Sequence, residues 1–420
     1  MFNESDVRIL LANKFYGPKG GAESVVLQTT RLLEDAGHEV VPFAMRQEGD
    51  EPSDWSRYFV PTRAYFDGSR IRRAGDSLAA IYSFDARRHL RALLRVAPPD
   101  LAHLHNVYHQ LTLSIVDELR AARVPIVMTL HDYKPACPNY QLLTHDGLCE
   151  RCVGGAYWNA VRHRCLKGSV AGSAIAAVEA YLNRIRRQYH KIDLFLTPSD
   201  FLRDIMVRAG LPEARIAVLR NAVRVAPSER SVPPHRRFVY FGRLAAEKGL
   251  DVLLTASAQL DPGIEVVLVG AGHLETELRR RVEREALPVR LTGFVSGDAL
   301  TRELLAATAT VLPAEWYENC PMSVLEAGAL GVPTVASNIG GIPELISSRV
   351  DGLLVPPGDA GALAKAINEV AARPAWAAAL GEAARQRVSE RHNEESYSDA
   401  LLAHYGRVVG DGRSEPARGS

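Results

Sequence analysis

Residues 313–341 read PAEWYENCPMSVLEAGALGVPTVASNIGG, and the fold is best worked out from this stretch. The short, largely apolar run 309–312, of strand type, precedes it, and a run of helical composition begins at Pro321. Proline suits the first helical position, because an N–H at that point would have no intrahelical partner, and Asn319 just before it can cap the helix. The free amides and the dipole at a helix start attract anions. We therefore predict an anion site at the amides of Met322, Ser323 and Val324.

Two carboxylates bracket this predicted anion site. Glu318 lies in the loop before the helix, and Glu326 lies inside the helix. At ~1.5 Å rise per helical residue plus a short lead-in, the two are on the order of 10 Å apart. That separation suits a ligand with a ribose at one end and a sugar at the other, joined through a pyrophosphate. The alternative is a pair of solvated acids at a helix end, which is the commoner meaning of two isolated glutamates at this spacing.

A second polar segment follows the strand-type run Phe238–Phe241. It begins at Gly242 and carries two cations five positions apart, Arg243 and Lys248. Arginine can hold a phosphate bidentately, and lysine binds it as a point charge. Both cations follow a strand, as Glu318 does, so a parallel sheet would bring all three to one edge. The combination predicts that the two cations clamp a pyrophosphate.

Strand-type and helix-type runs alternate along the chain. An apolar run at residues 7–12 is followed by a helical segment from Lys19 to about Ala36 and by a second strand, and a further series starts at Phe238. This alternation predicts parallel, doubly wound sheets, and 420 residues are enough for two domains with separate cores. The pair Gly20–Gly21 lacks the spacing of a dinucleotide motif, but it lets a backbone approach a phosphate or a sugar closely.

Histidines stand at or near the ends of two predicted strands. The run at 124–130 ends at His131, and residues at the carboxyl ends of parallel strands line the crevice of open α/β sheets. His131 is therefore a candidate site residue, although a lone histidine is structural by default. His103 and His105 fall on one face of an earlier strand. No third ligand stands at a motif spacing, so we predict a structural or substrate-lining role for this pair rather than a metal site.

The segment 134–169 interrupts the alternating pattern and holds four of the five cysteines. Their spacing is C-x11-C-x2-C-x12-C, which in a cytosolic protein predicts a structural, tetrahedral zinc rather than disulfides. The alternative is a redox-active or unbound set of thiols, and His145 and His163 can replace a cysteine as ligands. We expect the zinc to take no part in chemistry. The predicted ligands are Cys137, Cys149, Cys152 and Cys165.

Composition excludes several classes of protein. The formal net charge is +1, which argues against a general nucleic-acid binder. No run approaches the ~20 apolar residues of a membrane span. The N-terminal sequence MFNESDVRILLANKF carries acids where a signal peptide needs bases. We therefore expect a cytoplasmic protein.

Basic residues are concentrated in the first half of the chain, in two groups with few acids. Solvated helix faces would explain them equally well. The functional alternative is a surface that rests on anionic lipid at the inner face of the plasma membrane, which suits a protein that acts on a lipid-linked molecule. The first group is Arg63, Arg70, Arg72, Arg73, Arg87, Arg88, Arg91 and Arg95. The second group is Arg151, Arg162, Arg164, Lys167, Arg184, Arg186, Arg187 and Lys191.

Several of these segments together resemble the retaining glycosyltransferases of the GT-B fold that are usually called family 4. The signature of that family is a Glu, seven residues and a second Glu, which here is Glu318 to Glu326. The segments Gly331–Pro333 and Gly340–Glu344 also match the family, and the similarity extends over most of the chain. The resemblance implies an α/β protein with two Rossmann-like, doubly wound parallel-sheet domains that face a cleft.

The resemblance also implies roles for individual residues. The Gly20–Gly21 loop would close over donor and acceptor, Val295 lies where the family packs the nucleotide base, and Asn221 lies in the segment that resembles the domain-closing strand. The residues expected in catalysis are His131 near the transferred sugar, the phosphate-binding pair Arg243 and Lys248, and Glu318. The expected donor-binding residues are Gly20, Gly21, Asn221, Arg243, Lys248, Val295, Glu318, Met322, Ser323, Val324 and Glu326.

By the same resemblance, the chain divides into an acceptor-side domain and a donor-side domain. We expect the first at residues 1–222, with the cysteine-rich insert at 134–169, and the second, which binds the nucleotide sugar, at 236–390. Residues 223–235, with three prolines and mixed charge, are typical of a linker. A helix at 391–409 would cross back to the first domain, and residues 410–420 would form a disordered tail.

The expected function is transfer of a sugar, with retention, from a UDP-, GDP- or ADP-sugar to a lipid-linked or growing cell-surface glycan. No DxD-type motif stands out where a metal would be needed, so we expect no catalytic metal. The family is usually described as using same-face attack without a covalent intermediate, so Glu318 is assigned to sugar positioning. One alternative is a nucleotide-sugar epimerase of the same architecture, which needs no acceptor. The other is a non-catalytic zinc-knot interaction protein, which would not bind nucleotides at Arg243 and Lys248.

Overall fold

The computed structural model describes residues 7–62, 79–225 and 236–414. They form two compact units: unit 1 contains the described residues up to Leu219 and those from Glu395 onward, and unit 2 runs from Arg220 to Glu394. Of the predicted linker at 223–235, only the first three positions lie within the described residues. Four arginines of the first basic group lie outside them: Arg63, Arg70, Arg72 and Arg73.

Unit 1 is built on a six-stranded parallel sheet, and two short strand pairs lie beside it. The strands of its described residues are β1 (Arg8–Ala12), β2 (Glu39–Phe43), β3 (Met45–Arg46), β4 (Val60–Pro61), β5 (Leu101–Leu104), β6 (Ile126–Thr129), β7 (Leu143–Thr144), β8 (Gly147–Leu148), β9 (Leu194–Thr197) and β10 (Ile216–Val218). The main sheet has the order β10-β9-β6-β5-β1-β2. Its strands are largely apolar and buried, as in parallel sheets covered on both faces. The order reverses between β1 and β5, so the loops after these strands form the crevice in which doubly wound folds bind ligands.

Helices connect the strands of unit 1. They are α1 (Gly21–Asp35), α2 (Phe84–Val96), α3 (Ser114–Ala121), α4 (Trp158–Arg162), α5 (Val170–Ile185) and α6 (Asp200–Arg208), with short 3-10 turns at Ser56–Tyr58, Gln188–Lys191 and Glu213–Arg215. Serine side chains accept a hydrogen bond from the first turn of three of these helices, and such caps define a helix start. The capping residues are Ser83 for α2, Ser169 for α5 and Ser199 for α6.

Unit 2 contains a second six-stranded parallel sheet. Its strands are β11 (Arg236–Phe241), β12 (Ile264–Val269), β13 (Val289–Gly293), β14 (Ala309–Leu312), β15 (Thr334–Ser337) and β16 (Gly352–Val355). Their spatial order is β13-β12-β11-β14-β15-β16, so the chain builds outward in one direction from β11 and then in the other from β14. The order therefore reverses between β11 and β14, and the loops that follow these two strands form the binding crevice.

The helices of unit 2 pack on both faces of this sheet, in a larger and a smaller apolar cluster. They are α7 (Leu250–Ser257), α8 (Glu275–Glu285), α9 (Gly297–Leu305), α10 (Met322–Ala329), α11 (Ile342–Leu345), α12 (Ala360–Ala372) and α13 (Pro374–Arg391), with a 3-10 turn at Ala246–Lys248. Phe238 and Leu268 from the sheet meet Ile367 and Leu380 from the last two of these helices, and all four side chains are buried. This core fixes the strand ends that carry the crevice loops.

The last helix, α14 (Glu394–Ser414), packs on unit 1. Tyr397 and Thr29 share a hydrogen bond of 2.9 Å between their hydroxyls, and the Tyr405 hydroxyl lies 2.6 Å from His103 Nδ1. Residues 410–414, which we predicted to be part of a disordered tail, continue this helix instead. No proline interrupts residues 394–414, and the next one is Pro416. A proline disfavours helical backbone at the residue directly before it, so it does not prevent the helix from reaching Ser414.

Candidate active site

The two polar segments singled out in unit 2 meet at the crevice between β11 and β14. These strands are hydrogen-bonded neighbours, so the loop after β11 and the loop after β14 leave the same edge of the sheet. The backbone N–H of Glu315 in the second loop donates to the carbonyl oxygen of Glu247 in the first, at 3.0 Å. Strand order therefore joins two segments that are far apart in the sequence.

A shielded ion pair lies where these loops meet. Lys248 Nζ donates to Glu318 Oε1 at 2.6 Å, and the two side chains are only 18% and 7% exposed. The same ammonium lies 5.3 Å from the ring centroid of Trp316, in a cation–π contact. Two residues that we predicted as separate parts of the site thus form one unit, with the cation held in a fixed position.

A close backbone approach fixes Lys248. This residue ends the turn Ala246–Lys248, and the following Gly249 has a φ of +68°. A Cβ at Gly249 would lie 1.8 Å from the carbonyl oxygen of Pro313. Only glycine tolerates both the left-handed backbone and this contact, so the lysine loop can rest directly on the loop after β14.

The backbone of Glu318 is held from the other side by the Gly340–Gly341 turn. Gly341 N donates to the Glu318 carbonyl oxygen at 2.7 Å. Gly340 has a φ of +60°, and a Cβ at this position would lie 2.3 Å from the same oxygen. The glycine pair therefore supports the carboxylate that binds Lys248.

Gly340→Ala is expected to displace Glu318, because the new methyl group needs the space that the Glu318 carbonyl fills. We expect about 100-fold lower turnover, since displacements of about 1 Å at an active site have effects of that size. Gly263→Ala is the matched control: its φ is +85°, and nothing lies within 4 Å of the added Cβ. Both variants should lose about 1–2 kcal/mol of stability from left-handed strain, but only Gly340→Ala should lose activity. Thermal unfolding and donor turnover measure the two effects, and equal activity in both variants would contradict this role for Gly340.

Arg243 has a fixed backbone and an exposed head group. Its carbonyl accepts from the Tyr240 hydroxyl at 2.7 Å, and the next residue, Leu244, donates its N–H to Ala271 O at 3.0 Å. The guanidinium pairs with Glu247 and its side chain is 59% exposed. Arg243 can therefore turn toward a ligand at the crevice, whereas Lys248 is already in place.

The start of α10 differs in detail from the prediction. Pro321 is the residue that precedes the helix, with extended backbone, rather than its first helical residue, and no side chain caps this end, so the cap predicted at Asn319 is wrong. The Val324 amide donates to the Pro321 carbonyl at 3.1 Å. Met322 and Ser323 remain as first-turn amides, for which the helix itself offers no acceptor.

Glu326 lies within α10, and burial raises the pKa of its carboxyl above the ordinary value of 4.5. A carboxylate in this position gains from hydrogen-bond donors that replace lost water. The residue is therefore suited to accept from ligand hydroxyls.

In unit 1, two buried histidines and the partly buried His131 form a group at the ends of β5 and β6. His105 Nδ1 and His131 Nε2 share a hydrogen bond of 2.8 Å. His103 lies between Thr129 Oγ1, at 2.7 Å, and the Tyr405 hydroxyl. His103 and His105 are completely buried. The pair predicted as structural or substrate-lining is thus linked directly to the predicted site residue His131.

Burial keeps these histidines neutral. It lowers the pKa of His103 to about 3 and that of His131 to about 4, and the pKa of His105 also lies well below the ordinary 6.5. His131 is therefore a neutral hydrogen-bonding group at physiological pH.

The same pKa values predict acid sensitivity. In the unfolded chain these histidines take up protons near pH 6.5, whereas the folded state resists protonation until about pH 4. Folding stability should therefore fall as pH drops from about 6.5 to about 4, by up to ~1.4 kcal/mol per pH unit for each histidine. Thermal unfolding across this range should show a shallower slope in His131→Asn than in the unmodified protein. His145→Gln, at an exposed position, should keep the original slope; a His131→Asn profile of unchanged slope would contradict the assignment.

Comparison with known protein families identifies the family of this chain. Residues 19–226 match the family model described as Glycosyltransferase Family 4, and residues 227–387 match the model described as Glycosyl transferases group 1. The chain belongs to the family 4 glycosyltransferases.

Individual relatives agree with this assignment. The glycosyltransferase is 27% identical over 430 residues to a glycogen synthase of Mycobacterium tuberculosis, which covers 95% of this chain and 94% of the relative. It is 30% identical over 222 residues to the amylovoran biosynthesis glycosyltransferase AmsK of Erwinia amylovora, covering 50% of this chain and 54% of AmsK. The solved structure of Anabaena HepE in complex with UDP and glucose has a TM-score of 0.69 at 19% identity, over 96% of this chain and 100% of HepE. This likeness confirms the predicted GT-B fold.

The remaining donor-binding predictions for this glycosyltransferase fall in both units. Gly20 and Gly21 stand at the start of α1, after β1. Asn221 is buried, and its carbonyl accepts from His392 Nδ1 at 2.9 Å, which gives it a structural task as well. Val295 packs on an apolar cluster that includes residues of β11 and β12. The assignment of these residues to the donor stays a prediction.

The five cysteines of the glycosyltransferase, all within the described residues, are free. Cys137 Sγ donates to Asn139 Oδ1 at 2.8 Å, and its hydrogen bond with the Cys152 thiol lowers the pKa of Cys137 to about 7 and raises that of Cys152. Across the part of the chain that the structure describes, no three His, Cys, Asp or Glu side chains are grouped so that they could hold a metal ion. The two substitute ligands contact other residues: His145 pairs with Asp146, and His163 lies 3.5 Å from Arg151.

The structural zinc therefore stays a prediction from spacing. Elemental analysis of the purified glycosyltransferase tests it. If the cysteines close around the ion, we expect about one zinc per chain, and none in Cys152→Ser. A zinc-free protein with a normal melting temperature would contradict the zinc prediction and favour a cluster of unbound thiols.

Sequence reasoning missed two features of the site. Trp316 was not singled out, although it stands two positions before Glu318, and an aromatic ring beside a predicted cation is a usable signal. The link from His105 to His131 was also missed. A usable signal was that both residues stand near the ends of consecutive strand-type runs, since β5 and β6 are neighbours in the sheet.

Proposed function

We propose that this glycosyltransferase moves a sugar, with retention of configuration, from a nucleotide-sugar donor to a glycan or lipid-linked acceptor. The observation that carries the proposal is the shielded pair of Lys248 and Glu318 at the crevice of unit 2. It combines a fixed cation, suited to a diphosphate, with a carboxylate, suited to sugar hydroxyls. The relatives support this chemistry: HepE was solved with UDP and glucose, and AmsK is named for the biosynthesis of amylovoran.

In this proposal the donor diphosphate lies across the start of α10. The amides of Met322 and Ser323 face it, and Lys248 and Arg243 supply two positive charges. Negative charge grows on the diphosphate as the sugar leaves, and preorganised donors stabilise that charge without having to reorient. Two cations and two amides can offset this charge, so we propose that no catalytic metal takes part.

The two glutamates hold the ends of the donor. Glu318 already accepts from Lys248 through Oε1, which leaves its second oxygen for a hydroxyl of the transferred sugar. Glu326 has lost solvation on burial, and two ribose hydroxyls would restore hydrogen bonds to it. The cation on Glu318 also makes it a weak nucleophile, which supports a positioning role.

The transfer step follows from this arrangement. The bond between the anomeric carbon and the diphosphate oxygen breaks, and the bond to the acceptor oxygen forms on the same face of the sugar. The acceptor proton passes to the departing phosphate oxygen, so no protein nucleophile is needed. His131, neutral because burial lowers its pKa to about 4, hydrogen-bonds the transferred sugar or the acceptor.

A thermal-shift screen with UDP-, GDP- and ADP-sugars tests the donor. A ligand present at 100 times its Kd stabilises the folded state by about 2.7 kcal/mol. That corresponds to a rise of about 5–10 °C for a unit of this size. We expect one nucleotide class to raise the melting temperature, and a screen with no shift would favour the zinc-knot interaction protein instead.

Turnover distinguishes transfer from the epimerase alternative. Release of nucleoside diphosphate should depend on added acceptor, and the product should keep the anomeric configuration of the donor when measured by NMR. Conversion of the donor at full rate without any acceptor would contradict the transferase proposal and support an epimerase.

A lipid-linked acceptor would bring the enzyme to a membrane, and we propose peripheral contact at the inner face of the plasma membrane. The two basic groups do not support this equally. In the first, Arg87 and Arg91 pair with Glu118, and Arg88 pairs with Asp85. The second group, around α5, supports the proposal.

A further inference from the structure

Helix α5 buries polar side chains and exposes apolar ones, unlike an ordinary surface helix. A helix at a protein surface normally buries its apolar stripe and exposes its polar one. In α5 the polar residues Ser173, Glu179 and Asn183 are buried, together with only two small apolar residues, Ala176 and Ala177. Apart from Ala171 and Arg184, its exposed positions carry large apolar side chains: Val170, Val178, Leu182 and Ile185, the last of which is 76% exposed.

Hydrogen bonds hold α5 in this orientation. Glu179 Oε2 accepts from Lys134 Nζ at 2.7 Å, and both side chains are almost fully buried. Ser173 Oγ accepts from the Leu166 amide at 3.0 Å. Rotating the helix would leave the two donors, Lys134 Nζ and the Leu166 amide, without these acceptors, at a cost of roughly 1–3 kcal/mol each. These buried hydrogen bonds therefore keep the apolar side chains of α5 pointing outward.

Trp158 extends this face. It lies on the neighbouring helix α4 and is 52% exposed, and its backbone N–H donates to the Tyr181 hydroxyl on α5 at 3.2 Å. Tryptophan is the side chain most typical of a boundary between water and lipid. We call the exposed residues of α5 together with Trp158 the α5 face.

Positive charge surrounds the α5 face. Between Trp158 and Lys191 the chain carries seven Lys and Arg residues and a single acid, Glu179, which Lys134 neutralises. Arg186 and Lys191 pair with Asp117. Four exposed arginines of this segment make no ion pair with a carboxylate of the described residues: Arg162 and Arg164 before α5, Arg184 in its last turn, where it donates to the Gly154 carbonyl, and Arg187 after it.

We propose that the α5 face docks on an anionic lipid bilayer. The apolar side chains enter the boundary between headgroups and acyl chains, and the flanking arginines contact lipid phosphates. Contact is peripheral, because α5 is about 24 Å long and no helix in the described part of the chain is long and apolar enough to cross a membrane. The inference extends the proposed function, since a lipid-linked acceptor lies in the same bilayer.

Charge favours a bilayer over a second copy of the chain. In a symmetric dimer the same patch meets itself, so the arginines at the two ends of α5 would face those of the partner copy. Like charges would then approach without compensation. A bilayer containing phosphatidylglycerol supplies the opposite charge together with an apolar layer.

Vesicle sedimentation tests the proposal without any sugar donor. The protein should bind vesicles of phosphatidylglycerol and phosphatidylcholine, and binding should weaken in 0.5 M salt (about a 4 Å Debye length). The double variant Val178→Asp/Ile185→Asp should bind at least tenfold more weakly, because two charges replace inserted apolar groups. Val350→Asp, at a 61% exposed position in unit 2, is the matched control and should bind normally. Trp158 fluorescence should shift to the blue on binding, and Trp158→Phe should abolish most of that shift.

Three results would overturn the proposal. They are equal binding by the double variant, equal binding to pure phosphatidylcholine, and a dimer in ultracentrifugation that the double variant converts to monomer. The melting temperature of each variant, with and without a nucleotide sugar, is measured alongside. A variant that keeps its donor-induced shift but loses vesicle binding supports the α5 face, and loss of the donor shift alone would count against the proposed function instead.

Discussion

Lys248→Ala is expected to lower kcat/KM for sugar transfer by about 100- to 1,000-fold, the usual effect of removing one preorganised donor to a developing negative charge. Lys248 Nζ is fixed by Glu318 at 2.6 Å and by the Trp316 ring, largely out of solvent. Arg243 cannot take over, because it is exposed and paired with Glu247, and water screens such a charge. Nucleoside diphosphate should also bind more weakly.

The control for this variant is Lys365→Ala, which removes an exposed lysine of α12 in the same unit. Lys248→Ala also leaves the Glu318 carboxylate without its cation, so a stability loss of about 1–3 kcal/mol is expected. Circular dichroism and thermal unfolding show whether the variant is folded at the assay temperature. A folded Lys248→Ala enzyme with near-normal turnover would remove the central support for the proposed function.

Glu318→Ala should reduce turnover by at least about 100-fold for a different reason. In the proposal this carboxylate holds the transferred sugar, and loss of orientation at the reacting carbon has effects of that size. Nucleoside diphosphate without the sugar should bind at least as tightly as before, because Lys248 is released from its partner. The two substitutions therefore have opposite effects on diphosphate affinity, which calorimetry can measure.

Glu315→Gln is the matched control for the glutamate. It lies three positions earlier in the same loop, and its side chain is exposed. We expect it to retain normal turnover. If Glu318→Ala weakened the affinity for nucleoside diphosphate as much as that for the sugar donor, the carboxylate would be supporting the loop rather than the sugar.

The sequence indicated which residues of unit 2 follow strands at the crevice, but it could not indicate how they pair with one another. Spacing alone identified Glu318, Lys248 and Arg243 as residues that follow strands. That two of them form an ion pair depends on β11 and β14 being neighbours, and strand order is a property of the whole sheet. The same holds for His105 and His131, which meet because β5 pairs with β6.

Local backbone and packing details were predicted less well where alternative conformations have similar free energies. Pro321 suits either side of a helix start, and the structure places it just before α10. The orientation of α5 could not be read from its periodicity, because the buried side is chosen by Lys134, a residue of the preceding insert that holds Glu179. The basic residues were visible in the sequence, whereas the apolar face between them was not.

The placement of α14 has a consequence for the order of events during synthesis. Its tyrosines reach Thr29 and His103, but they leave the ribosome only after all of unit 2, about 175 residues after Leu219. At roughly 5–20 residues per second, that interval is about 10–35 s. Throughout it, the nascent first unit lacks α14, and His103 and Thr29 lack their hydrogen bonds with Tyr405 and Tyr397. The fold of unit 1 is therefore completed only when the last helix of the chain joins it. Until α14 has been synthesised, chaperones can bind the surface of unit 1 that this helix later covers.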